Sequence, residues 1–104
     1  MHVIVSVTCA DRDEAERIAD LLVGGRLAAC VHLSPIESRY AWRGERVVDD
    51  EVLLSAITCS DRFDQLVAVV TGAHSYDVPA VVATQLVRGA EPYLRWIDEQ
   101  VDAG

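Results

Sequence analysis

The chain has 104 residues, of which 51% are hydrophobic, so we expect one domain, residues 1–104, with a packed core. Its net charge is −8 and all nine basic residues are arginine, which argues against a nucleic-acid partner and excludes a phosphate-binding or Schiff-base lysine. The three cysteines are an odd number, which argues against a disulfide framework. The N-terminal pattern is not that of a signal peptide and no apolar run is long enough for a bilayer, so we expect a cytoplasmic protein with no membrane partner.

The first quarter of the chain is predicted to be a strand followed by a helix. Residues 2–9, HVIVSVTC, are rich in β-branched residues and contain no breaker, which is typical of a strand. Asp11 can cap the helix that follows, and Glu14 three residues later completes a capping box. Glycines at positions 24 and 25 are expected to end this helix.

A long hairpin is predicted next. Residues 27–42 are extended, with a kink or bulge expected at Pro35. Arg43 and Gly44 form a turn, after which the chain returns through a strand that ends at Cys59. If the turn is centred on these two residues, Cys30 lies opposite Ile57 and diagonal to Cys59.

The second half completes a βαββαβα order. Ser60 can cap a second helix that ends at Gly72, residues 80–86 form a fourth strand, and residues 91–101 form a short C-terminal helix. This order predicts an α+β, ferredoxin-like split βαβ fold with an antiparallel sheet of strand order four-one-three-two. The first and third strands are apolar or small on both faces, but two helices cover only one face. A second copy of the chain is the simplest cover for the other.

Two six-residue stretches nearly repeat each other, VTCADR at 7–12 and ITCSDR at 57–62. Each is the junction of a strand with a helix. Because the first and third strands run in opposite directions, Cys9 and Cys59 are predicted at opposite ends of the sheet, roughly 20 Å apart. They therefore cannot form one two-thiol site within a subunit. The same topology places His74 near Cys9, and Cys30 near Cys59.

Four segments together resemble the CutA family, which is named for divalent-cation tolerance. They are LAACVHLSPIESRYAWRGE, DDEVLLSAITC, HSYDVPAVVA and EPYLRWI, and they occur in the family's order over almost the whole chain. The resemblance implies a ferredoxin-like subunit in a tight homotrimer whose long hairpins reach neighbouring subunits. It also implies a cytoplasmic protein linked to copper or another divalent cation, with no catalytic reaction.

Several positions depart from the family's pattern. Many members have lysine where this chain has Ile57, and an acidic residue where it has Ala80. Some carry a cysteine at the position of Val7 and an extra histidine at that of Ala73. Cys9 lies two residues beyond Val7, so on a strand it points to the same face and can replace the missing thiol.

The predicted metal ligands are His74, Cys9 and Asp77. A thiolate, an imidazole and a carboxylate at one end of the sheet would suit copper, which outcompetes other divalent first-row metals for such ligands. The alternative for His74 is a histidine that hydrogen-bonds a nearby carbonyl and fixes the helix-to-strand turn. The alternative for Cys9 is simple burial, or a reactive thiol whose pKa is lowered by the following helix.

The remaining candidates are residues for a pocket or an interface. Tyr40 and Trp42 on the hairpin are predicted to be interface anchors, because aromatic residues are enriched in such positions. The other members of this group are two cysteines and two aromatic residues: Cys30, Cys59, Tyr76 and Trp96.

Two other classes of function remain open. A PII-like signalling trimer that binds a small molecule has the same subunit plan, although this lysine-free chain has no evident nucleotide cradle. An enzyme would have to use Cys9 or His74 as its active group, and no Ser/His/Asp or Cys/His pattern supports it beyond their nearness. We therefore predict a protein that is not an enzyme.

Overall fold

A computed structural model describes residues 1–102. The elements follow the predicted order, with a single 3₁₀ turn added before the second helix. Their bounds are β1 His2–Cys9, α1 Arg12–Gly24, β2 Cys30–Trp42, β3 Glu45–Cys59, the 3₁₀ turn Ser60–Arg62, α2 Phe63–Ala73, β4 Val81–Gln85 and α3 Glu91–Val101.

The four strands form one antiparallel sheet in the order β2-β3-β1-β4, which confirms the predicted topology. The predicted register of the hairpin is also confirmed, because Cys30 pairs with Ile57. The bulge expected at Pro35 is wrong, since pairing runs without interruption from Cys30 to Trp42, with Pro35 opposite Val52. β2 is an edge strand, so a residue without an N–H group can be accommodated on its unpaired side.

The hairpin turn has the geometry that two-residue connections favour. Arg43 and Gly44 have φ angles of 51° and 81°, so both lie in the left-handed region that matches the twist of the flanking strands. This short turn fixes the pairing of β2 with β3. The hairpin also lengthens the molecule, which measures 45 × 26 × 20 Å.

One face of the sheet forms the main core with α1 and α2. Alternate residues of β1, namely Val3, Val5, Val7 and Cys9, are buried there. They pack in one cluster with apolar residues of β3 and of the two helices: Val52, Leu54, Ala56, Ala15, Ile18, Leu22, Leu66 and Val70. Val7 and Cys9 therefore share a face, as predicted.

The other face is covered only in part, by α3. Ile97 and Val101 of this helix are buried, and Asp98 contacts His2 and Cys59 at one end of the sheet. Val82 of β4 and His32 of β2 lie farther along this face and remain exposed. None of the helices within residues 1–102 has the length and apolar character needed to cross a membrane.

The helices α1 and α2 differ in how their N-termini are capped. Asp11 caps α1, because its Oδ1 accepts the N–H of Glu14 at 2.9 Å. The Glu14 carboxylate, however, accepts the N–H of Ala10 and not that of Asp11, one residue earlier than a standard capping box. The cap predicted at Ser60 is wrong, since this residue begins the 3₁₀ turn and, within the described residues, no side chain caps α2.

Candidate functional site

The end of β1 lies beside the turn that follows α2, and three potential metal-ligating side chains meet there. Cys9 is the last residue of β1, Glu14 lies in the first turn of α1, and His74 directly follows α2. One ligand atom from each, a thiol sulfur, a carboxylate oxygen and a ring nitrogen, lies within 4.8 Å of the others. The side chains of these three residues, here called the buried cluster, are almost completely shielded from solvent.

Both ring nitrogens of His74 are engaged in hydrogen bonds. Nδ1 accepts the backbone N–H of Tyr76 at 3.0 Å, so it carries no proton. Nε2 lies 2.8 Å from the carbonyl oxygen of Thr8, which can only accept, so Nε2 carries the proton and donates it. The ring is therefore neutral with its proton on Nε2, and it joins the end of β1 to the turn after α2.

Glu14 connects the end of β1 to the turn after α2 through hydrogen bonds. Its Oε2 accepts the N–H of Ala10 at 2.8 Å, and its Oε1 accepts the N–H of Ser75 at 2.6 Å. Burial alone would raise the pKa of Glu14, but the hydrogen bonds from Ala10 and Ser75 lower it below its usual value. The carboxylate is therefore ionised at neutral pH, 3.7 Å from Nε2 of His74.

Cys9 is a protonated thiol in this arrangement. Burial raises its pKa to about 11, and the negative charges of Glu14, Asp11 and Glu51 contribute to the rise. Of the two alternatives for Cys9, simple burial is therefore favoured over a reactive thiol with a lowered pKa, because burial and the three carboxylates all act to raise this pKa. A thiol with this pKa is a poor nucleophile, which argues against an enzyme that uses Cys9. A divalent cation would have to displace the thiol proton.

Asp77, the third predicted ligand, does not join this group in the described part of the chain. Its side chain is exposed, and the carboxylate beside Cys9 and His74 is that of Glu14. Tyr76 lies next to the buried cluster, with its ring 4.8 Å from that of His74 between centroids. Its hydroxyl donates to Oε2 of the buried Glu51 at 2.7 Å, and burial together with this bond raises the pKa of Tyr76.

The other candidates lie away from the buried cluster. On the hairpin, Tyr40 is 41% exposed and Trp42 is 58% exposed. Cys30, at the start of β2, has its sulfur 3.6 Å from Nε2 of His32. Trp96 of α3 stacks on Tyr93, with ring centroids 5.7 Å apart.

Cys59 belongs to a second group of potential ligands, at the opposite end of the sheet from Cys9. Asp98 Oδ1 accepts the thiol of Cys59 at 3.3 Å and lies 2.8 Å from Nε2 of His2. His2, Cys59 and Asp98 are here called the rim cluster. Burial and the bond to Asp98 raise the pKa of Cys59 to about 11, while the bonds from Cys59 and His2 lower the pKa of Asp98.

Sequence reasoning missed three members of these groups. Glu14 was interpreted only as part of a helix cap, although its position one turn after Cys9 could have indicated that it faces the same end of the sheet. His2 could have been found, because the antiparallel pairing of β1 with β3 places it opposite Cys59. Asp98 could not have been found in this way, because no strand pairing fixes where α3 lies.

The fold and the buried cluster define a class of protein: a ferredoxin-like α+β subunit with an extended β2–β3 hairpin and potential metal ligands at the end of β1. The family model described as CutA1 divalent ion tolerance protein matches residues 3–100. The chain therefore belongs to the CutA1 family of divalent ion tolerance proteins.

Relatives and solved structures agree with this assignment. The chain is 37% identical over 102 residues to the divalent-cation tolerance protein CutA of Archaeoglobus fulgidus, covering 98% of this chain and 100% of the relative. It is 40% identical over 100 residues to the protein of that name from Thermus thermophilus, covering 95% and 97%. The solved A. fulgidus structure, described as a periplasmic divalent cation tolerance protein, matches with a TM-score of 0.96 at 37% identity, covering 98% of this chain and 100% of that one.

Proposed function

We propose that this chain is a metal-responsive protein that binds a divalent cation, with copper as the preferred ion, at the buried cluster of Cys9, Glu14 and His74. The observation that carries the proposal is the convergence of a thiol, a carboxylate and an imidazole within 4.8 Å. Thiolate and imidazole are ligands that suit copper, and the relatives' names refer to tolerance of divalent cations. We assign no catalytic reaction to it.

Cation binding would change the local structure, because both nitrogens of His74 are already in use. A metal on Nε2 takes the place of the proton that is donated to Thr8. A neutral ring would then carry its proton on Nδ1, directly facing the N–H of Tyr76 that it now accepts. The segment from His74 to Tyr76 would therefore have to move when the cation binds. This coupling makes the protein responsive to metal and lowers the affinity of the site.

The test is an anaerobic copper titration of the wild-type protein and two variants. Cys9→Ala removes a ligand at a small cost in packing, because a buried free cysteine behaves as a small hydrophobic residue. His74→Ala removes the imidazole. We expect copper affinity to fall about tenfold or more in each variant. Cys30→Ala, which removes a thiol outside the cluster, serves as the control and should retain the wild-type affinity.

The alternative is that His74 only fixes the turn after α2. In that case His74→Ala would lower stability and leave copper affinity unchanged. Equal copper affinity in the wild type and in both cluster variants would contradict the proposal. A folded, assembled His74→Ala protein that has lost its copper affinity would support it most strongly.

We further propose that the working form is a homotrimer in the cytoplasm. Large apolar side chains on the hairpin and on the edge strand β4 are exposed in the single chain, among them Trp42 at 58%, Val48 at 56% and Val82 at 59%. The three free thiols are in keeping with a reducing compartment. Cell fractionation tests the location, and recovery of the protein in a periplasmic fraction would contradict it.

A further inference from the structure

The rim cluster is assembled by three elements at the end of the sheet opposite the buried cluster. His2 begins β1 and Cys59 ends β3, and the two residues are direct partners in the antiparallel ladder, so their side chains point to the same face. The helix α3 crosses that face with Ile97 and Val101 buried, which brings Asp98 over the pair. The three side chains thus come together through the fold itself and not through a mobile loop.

The spacing of the potential ligand atoms is close to that of a four-coordinate zinc site. Asp98 Oδ1 lies 2.8 Å from His2 Nε2 and 3.3 Å from Cys59 Sγ, and all three ligand atoms lie within 4.8 Å of one another. In a tetrahedral site with usual zinc bond lengths, neighbouring ligand atoms are about 3.4 to 3.6 Å apart. Small rotations of the three side chains would therefore open a position equidistant from them.

The surroundings would attract a cation and let it enter. A cavity of about 320 Å³ borders Cys59 and Asp98 and is open to solvent. The side chains of His2 and Asp98 are 20% and 58% exposed. The charged residues that line the cavity are four carboxylates and two guanidinium groups, from Asp61, Asp98, Glu99, Asp102, Arg62 and Arg95. The carboxylates outnumber the guanidinium groups, and the guanidinium group of Arg95 pairs with Glu91, outside the cavity, at 3.3 Å.

We propose that His2, Cys59 and Asp98 form a second cation site, which can hold a borderline divalent ion such as Zn²⁺, with water from the adjoining cavity as the fourth ligand. Thiolate, imidazole and carboxylate are the three ligand types that zinc takes from proteins, and three protein ligands with one open position form a recognised zinc arrangement. The site shares no residue with the buried cluster. It can therefore be present whether or not copper binds there.

The rim cluster can be isolated by removing the other two thiols. In the Cys9→Ala/Cys30→Ala double variant, Cys59 is the one remaining cysteine of the chain. The untagged double variant, titrated with Co²⁺, should develop a thiolate-to-cobalt charge-transfer band. Added Zn²⁺ should abolish that band by displacing the bound Co²⁺. The band should disappear when Cys59→Ser is added. A titratable band that remains without Cys59, or no band at all in the double variant, would overturn the proposal.

A second measurement in the wild-type background does not depend on the double variant. Equilibrium dialysis with Zn²⁺ should show affinity reduced at least tenfold by Asp98→Asn, which removes the charge and one ligand oxygen. Glu99→Gln is the matched control, because it removes a carboxylate from the same cavity outside the cluster, and its affinity should remain within twofold of wild type. Equal Zn²⁺ affinity in Asp98→Asn and Glu99→Gln would mean that Asp98 only holds α3 against the sheet. That result would refute the proposed cation site.

The result is separable from that of the copper experiment. Loss of Zn²⁺ binding in Asp98→Asn with copper affinity intact in the same variant supports two independent sites. If Cys9→Ala removes all copper and all Zn²⁺ binding together, the buried cluster is the binding site for both ions and the rim cluster is not a site.

Discussion

At the scale of single residues, Glu14 and His74 of the buried cluster are hydrogen-bonded to backbone groups inside the fold. Glu14 accepts two backbone N–H groups, from Ala10 and Ser75, and His74 bridges Thr8 and Tyr76. A buried donor that loses its partner costs about 1 to 3 kcal/mol, so these contacts together stabilise the junction of β1, α1 and the turn after α2. The same residues can therefore hold a cation and stabilise the cation-free fold.

The role of Glu14 predicts a loss of stability in Glu14→Gln. Glutamine offers one carbonyl oxygen, so its NH₂ group would face a backbone N–H that needs an acceptor. We therefore expect the free energy of unfolding to fall by about 1 to 3 kcal/mol. Urea denaturation at one fixed protein concentration measures the change. Glu16→Gln is the control on the same helix, since Glu16 is 52% exposed and pairs with Arg12 at 3.6 Å. Glu16→Gln should lower the free energy of unfolding by about 0.5 kcal/mol or less. Equal stability of the two variants would contradict the role given to Glu14.

At the scale of elements, the hairpin turn sets the register on which much of the sheet depends. Gly44 has a φ of 81°, and in the described chain a Cβ at this position would meet no atom within 4 Å. Gly44→Ala should therefore destabilise the protein through backbone conformation alone, by about 1 kcal/mol. A Cβ at Gly72 of α2 likewise has open space among the described residues, so Gly72→Ala should stabilise the helix by about 0.5 to 1 kcal/mol. Thermal unfolding of the pair measures both, and shifts of the same sign would refute this explanation.

The elements also show how far the sequence predicts the structure. The Arg43–Gly44 turn was enough to predict that Cys30 pairs with Ile57, because a two-residue loop fixes the register. Strand order was enough to predict that Cys9 and His74 share an end. The dual role of Glu14 was not predictable, since its contact with Ser75 depends on how α1 packs beside the turn after α2. The position of α3 depends on long-range contacts and not on strand pairing, so the contact of Asp98 with Cys59 left no signal in the sequence pattern.

At the scale of the whole molecule, the single chain exposes apolar surface that assembly would bury. The hairpin presents Tyr40 and Trp42, and the edge strand β4 presents Val82. An exposed strand edge and exposed aromatic residues are features that proteins normally cover. The proposed homotrimer covers them with copies of the same chain.

Trimer formation predicts a specific effect of Trp42→Ala. Truncation of a buried aromatic anchor at an interface costs about 2 kcal/mol or more, which is about 30-fold in the association constant. Sedimentation equilibrium at micromolar concentration should give a trimer for the wild type and partial dissociation for this variant. Leu21→Ala, which truncates a residue that is 50% exposed on α1, should leave the trimer intact. A stable folded monomer of the wild type under these conditions would contradict the proposed assembly.

The central claim is that copper binds through Cys9 and His74 in the buried cluster. The most direct measurement is X-ray absorption on the copper-loaded Cys30→Ser/Cys59→Ser variant, in which Cys9 is the one remaining thiol of the chain. The account predicts a first coordination shell that contains sulfur together with imidazole nitrogen. A shell of oxygen and nitrogen without sulfur, in a variant that retains the wild-type copper affinity, would contradict it.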